Sequence, residues 1–157
     1  MRFGVTGHLT LPERIIDRAM DHWRRVLPAG SQLYGVSSLA EGADQLFAAH
    51  VLAAGGVLEA IVPCEDYARS LATDSGRVRY EQLRNAAETV ITLPFPKPSE
   101  KAFLAAGHAM VDRCDHLFAV WDGRPARGLG GTADVVSYAR TRGRPVTVLW
   151  VDGVMRT

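Results

Sequence analysis

The chain is predicted to fold as an α/β three-layer sandwich: a mostly parallel sheet of about six strands with helices on both faces. Two observations predict this. Short apolar runs suited to strands alternate, from one end of the sequence to the other, with longer segments whose apolar residues recur at three-four spacing. Small, hydroxyl and carboxylate residues collect after the strand runs, whereas turn formers such as Pro28-Ala29-Gly30 and Gly55-Gly56 precede them. No linker, repeat or low-complexity tract interrupts the pattern, so residues 1–157 read as a single domain.

The totals agree. A chain of 157 residues, 47% hydrophobic and 22% charged, can bury a sizeable core without metal or disulfides. A net charge of +1 supplies no basic field, which argues against duplex DNA as a partner. Cys64 and Cys114 make no disulfide framework, and no zinc-type spacing occurs, so no metal is expected. With no secretion signal at the start and no apolar run near the roughly 20 residues that span a bilayer, the expected setting is cytoplasmic, with no membrane partner.

Phe3 to Thr6 is the first strand and ends in Gly7-His8. A helix follows with Thr10 as N-cap and Pro12 in its first turn; its buried stripe is Ile15, Ile16, Ala19, Trp23, Val26 and Leu27. Gln32 to Val36 is the second strand. It leads through Ser37-Ser38 and Gly42 into a helix from about Ala43 to Ala54. Val57 to Val62 is the third strand. An irregular stretch follows, with a turn at Asp74-Ser75-Gly76 and a helix from Val78 to Ala87. Thr89 to Leu93 is the fourth strand, and a proline-stiffened loop precedes the helix Glu100 to Arg113. Leu117 to Trp121 is the fifth strand. The run Gly128-Leu129-Gly130-Gly131-Thr132-Ala133-Asp134 then opens the last helix, and Pro145 to Val151 is the sixth strand.

In such a sheet a ligand lies beyond the carboxyl ends of the strands, where strand order reverses. That rule selects Gly7 and His8, Ser37 and Ser38, Gly42 and Asp44, Cys64 and Glu65, Asp122 and Gly123, and Gly130, Gly131 and Thr132. Strand, glycine-rich turn and helix start together make an anion site: glycine lets backbone approach an oxygen, and the first amides of a helix are free to donate.

The segment Ser38-Leu39-Ala40-Glu41-Gly42-Ala43-Asp44 resembles the signature of the nucleotide-binding domain of DNA-processing protein A. Asp115 to Trp121, followed by Gly130-Gly131-Thr132, is similar to the Lonely Guy phosphoribohydrolases. Both belong to the SLOG superfamily of Rossmann-like domains, whose first motif Gly4-Val5-Thr6-Gly7-His8 also suits. The resemblance implies a nucleotide or nucleotide-derived ligand, with no further cofactor, in a homo-oligomer. Phosphate would sit on Gly7, Ser37, Gly42, Gly130, Gly131 and Thr132, and sugar or base on Asp44, Glu65 and Asp122. Single-stranded DNA binding is a weaker implication.

The hydrolases' arginine and glutamate positions hold Ala106 and Val135 here, and aliphatic side chains can neither stabilise an oxocarbenium ion nor hold a phosphate. Any cleavage of an N-glycosidic bond would need Asp134 or Glu65 as carboxylate. Its cation would come from Arg79 or Arg113, with Arg69 and Arg77 as further candidates. The loop from Glu65 to Arg77 is long enough for a lid. Cys64 with His8 nearby is a candidate thiol nucleophile, set against a plain strand-end cysteine.

Overall fold

A computed structural model describes residues 1–125 and 131–156. Strands β1 (Arg2–Gly7), β2 (Tyr34–Ser37), β3 (Val57–Val62), β4 (Thr89–Thr92), β5 (His116–Val120) and β6 (Val146–Leu149) form one sheet in the order β4-β3-β2-β1-β5-β6. Every pairing is parallel, with Gly4 opposite Val36 on one side and Leu117 on the other. Helices α1 (Glu13–Val26), α2 (Ala43–Ala53), α3 (Asp74–Ala86), α4 (Glu100–Asp112) and α5 (Thr132–Thr141) fill the connections. The strands step outward from β1 to β4. The chain then crosses back to place β5 on the other side of β1, so strand order reverses between β1 and β5.

The two faces of the sheet hold separate cores because strand side chains alternate. Val5, Leu58, Ala60, Val62, Phe118 and Val120 pack with Ile15, Ala19 and Trp23 of α1 and Phe47 and Val51 of α2. Val36, Ile61, Leu117 and Ala119 point the other way, onto Met110 and Val111 of α4 and Val135, Val136 and Ala139 of α5. The Trp23 and Phe47 rings meet edge to face at 5.1 Å, in the middle of the first core.

The expected elements are present, and three local readings change. Pro12, not Thr10, occupies the N-cap of α1, since its ring already fixes the φ that the helix entrance needs. Val26 of the expected stripe is 54% exposed in the last turn. Asp74-Ser75-Gly76 is the first turn of α3, not a turn before it. Thr73 caps that helix, its hydroxyl accepting from the Gly76 amide at 2.9 Å. Trp121 and Trp150 lie just beyond β5 and β6. Strand ends otherwise shift by a residue or two, the usual fraying of such boundaries.

Candidate functional site

A cavity of about 680 Å³ opens at the carboxyl ends of the strands, over the reversal between β1 and β5. That volume suits a small organic ligand. Its walls come from several connections that leave this edge: Gly7 and His8 after β1, Ser38, Ala40, Glu41 and Asp44 after β2, Tyr67 and Ser70 to Thr73 after β3, and Arg124 with Gly131 to Ala133 after β5. Ala106, Gly107 and Met110 of α4 add an apolar side. Gly7 makes room for this arrangement, because a Cβ there would lie 2.4 Å from that of Ala43 and 2.7 Å from the Val120 carbonyl oxygen.

Polarity is distributed along the strand order. On the β5 and β6 side stand the start of α5 and the residues Arg124 and Arg156. Gly131 is the N-cap of α5, and its carbonyl takes the Asp134 and Val135 amides. Arg156 grips Asp122 through Nε at 2.7 Å and Nη2 at 3.0 Å, and His8 Nε2 lies 3.3 Å from the same carboxylate. Burial alone would raise the Asp122 pKa, but the Arg124 amide, Arg156 and His8 together hold it below the usual carboxylate range.

On the β2 and β3 side the polar groups are less well served. Asp44 in the first turn of α2 is 9% exposed, and its Oδ2 accepts a long 3.4 Å bond from the Ala40 amide. Burial pushes its pKa up to about 7, against the smaller opposing effect of that amide. Ser38 Oγ is buried and has no hydrogen-bond partner among the described residues. Tyr67, 5% exposed, borders the same region; its hydroxyl is held protonated by burial and then by the Asp44 charge.

No family model and no curated protein matches this chain. Solved structures do. DNA processing protein A (DprA) from Streptococcus pneumoniae superimposes with a TM-score of 0.69 at 16% identity, over 94% of this chain and 49% of that one. The chain shares the Rossmann-like α/β fold of this structure. DprA from Helicobacter pylori, described for its single-stranded DNA binding mode, gives 0.66 at 14% identity, over 94% of this chain and 64% of that one. The chain thus spans about half to two-thirds of the DprA chains it matches.

Within this DprA-like fold the sequence-selected residues separate. Gly7, His8, Ser38, Asp44, Gly131 and Thr132 line the cavity together. Gly130 lies outside the described residues, as do Gly128 and Leu129. Ser37 is fully buried away from the cavity, its hydroxyl donating to the Asp44 carbonyl at 3.0 Å and accepting from the Leu39 amide at 3.1 Å. Gly42 is not among the residues that line the cavity. At φ +79° it brings the start of α2 against the β1–α1 loop, and the Ala43 and Gln45 amides already bind the His8 and Ala40 carbonyls. Asp122 serves Arg156 rather than the cavity, and Gly123, at φ +83°, only turns the chain there.

The four tentative catalytic residues do not converge. Glu65 is exposed in a shallow depression beside Pro94 and Pro96. Arg79 is exposed on α3. Arg113 follows α4 at the opposite edge of the sheet, its Nε 2.5 Å from fully buried Glu59. Asp134 is in the first turn of α5, but the cavity wall there is Ala133 and Val135. Arg69 pairs with Asp66 at 3.2 Å, and Arg77 binds Asp74 and the Leu71 carbonyl. Cys64 is fully buried with its thiol pKa pushed up by burial, which suits packing rather than nucleophilic attack.

Arg124, Arg156 and Glu41 are among the cavity residues that escaped the sequence reading. Arg124 and Arg156 reach the mouth because β6 lies beside β5, so the segment after β6 returns to the same opening. Glu41 ties the β3–α3 segment down: Oε1 accepts from the Ala72 amide at 2.6 Å and the Thr73 amide at 3.2 Å, and Oε2 from the Thr73 hydroxyl at 2.8 Å. Its position inside the Ser38–Asp44 signature was the available signal. Among the described residues no helix is long and apolar enough to cross a membrane.

Proposed function

We propose that this chain binds a nucleotide or nucleotide-derived small molecule in the cavity at the β1/β5 reversal. The observation that carries the reading is one chamber with complementary ends. An anion-accepting side is built from the α5 start, Arg124 and Arg156, and a hydrogen-bond-accepting side from Asp44. These sides follow β5 and β2, two strand spacings or about 10 Å apart. A phosphorylated nucleoside has that reach and that polarity, and Phe103, Met110 and Trp121 of the cavity wall offer apolar surface to a base.

Catalysis has less support. The positions that would carry an N-glycosidic hydrolysis by analogy with the Lonely Guy enzymes, Ala106 and Val135, both face the cavity with aliphatic groups. Binding of single-stranded DNA is the second reading, favoured by the DprA likeness. Against it stand the net charge of +1 and the acidic Glu41, Asp44 and Glu100 in the cavity wall.

Thermal shift separates the two. A nucleotide at a hundred times its Kd should stabilise the protein by about 2.7 kcal/mol, or a Tm rise of about 5–10 °C for a domain of this size. An oligonucleotide should give a shift that disappears as salt increases. No shift with any member of a nucleoside mono-, di- and triphosphate panel would remove the nucleotide reading.

A further inference from the structure

The β2 side of the cavity contains two polar groups that the folded chain leaves poorly satisfied. Asp44 is nine-tenths buried, lines the cavity, and among the described residues its carboxylate receives only the 3.4 Å bond from the Ala40 amide. Ser38 Oγ, buried a few residues earlier in the same loop, has no partner among the described residues. Buried polar groups in folded proteins are almost always paired, and an exception inside a cavity marks where something else completes the bonding. The ionised Asp44 carboxylate only accepts, while the Ser38 hydroxyl can accept as well as donate. A second phosphate placed there would meet like charge, whereas a hydroxyl or amine would supply the missing donors.

We propose that Asp44 and Ser38 form a donor-reading subsite, which takes an uncharged or cationic hydrogen-bond donor at the far end of the ligand and rejects a phosphate there. This rests on the nucleotide reading and sharpens it: the ligand is anionic at one end only. A sugar hydroxyl and an exocyclic base amine share the required chemistry. Strand order supports the polarity, since the cavity's arginines come from the segments after β5 and β6, on the other side of β1.

The test is calorimetric titration of the full chain with adenosine 5′-monophosphate, adenosine 3′,5′-bisphosphate and inosine 5′-monophosphate. The proteins are the wild type, Asp44→Asn and Ser38→Ala. Loss of hydrogen bonds to a charged acceptor corresponds to roughly ten- to hundred-fold in affinity, so Asp44→Asn should weaken the monophosphate by that factor. Ser38→Ala should weaken it several-fold while leaving the Tm of the free protein unchanged, because the hydroxyl it removes bonds nothing in the unliganded fold. Discrimination against the bisphosphate assigns the donor to the sugar, and discrimination against the inosine nucleotide assigns it to the base amine. Unchanged monophosphate affinity in both variants would overturn the subsite while leaving nucleotide binding intact. No binding by wild type to any of the three would overturn both.

Discussion

Asp44 gives the most direct check on the energetics of the site. A carboxyl whose folded pKa is raised from 3.8 to about 7 binds its proton more tightly in the folded protein than in the unfolded chain. Stability is therefore undiminished below about pH 4, falls as pH rises between the unfolded and folded values, and levels off above about 7. The interval is about three pH units at about 1.4 kcal/mol each, so the carboxylate costs the unliganded protein about 4 kcal/mol at pH 8. Because the side chain is buried, no solvent-screening discount applies. Asp44→Asn keeps the shape and removes the charge. Urea unfolding of both proteins from pH 4 to pH 8 should give matching stabilities at pH 4 and a variant more stable by about 4 kcal/mol at pH 8, equivalent to about 10 °C in Tm. Every other titratable group is present in both proteins, so the difference isolates Asp44. Parallel curves across the range would refute the claim that this carboxylate is buried without adequate compensation.

Other consequences follow from the same contacts. Gly42→Ala should destabilise by about 1–3 kcal/mol in chemical unfolding, because the residue sits at φ +79° and a Cβ would lie 2.2 Å from the His8 carbonyl oxygen. Asp122→Asn leaves Arg156, 11% exposed, without its carboxylate and should cost about 3 kcal/mol. Since the folded Asp122 pKa is depressed, the stability it contributes is present above its ordinary value of 3.8 and is lost as pH falls through the folded value, so the gap between wild type and variant should close in acid. Glu41→Ala removes the acceptor of the Ala72 and Thr73 amides and should cost about 1 kcal/mol, read most clearly as faster hydrogen exchange at those two amides with little change elsewhere.

The order and type of the elements were legible because each writes its own period into the sequence. The stripe Ile15, Ala19, Trp23 and the run Leu58, Ala60, Ile61 and Val62 both survive as core. Boundaries were less legible where a side chain could serve two local structures, as Thr73-Asp74-Ser75-Gly76 shows: the same residues spell a turn or a helix cap, and the Thr73 hydroxyl bond to Gly76 decides for the cap. The rule that ligands lie beyond strand ends at a reversal located the cavity and six of its lining residues.

Sequence alone determined that these residues reach one edge of a parallel sheet, since alternation of strand and helix leaves no other place for the loops. Which of them face the cavity was decided by packing. Ser37 and Ser38 are neighbours with the same hydroxyl, yet one is consumed by the backbone of its own loop and the other is left unpaired at the cavity. Asp44 and Asp122 likewise share a charge, but one is buried among weak partners while the other is clamped by Arg156, 34 residues away in the chain. Partners that distant meet only through the sheet order. Burial then determines whether each group is spent on the fold or kept for a ligand.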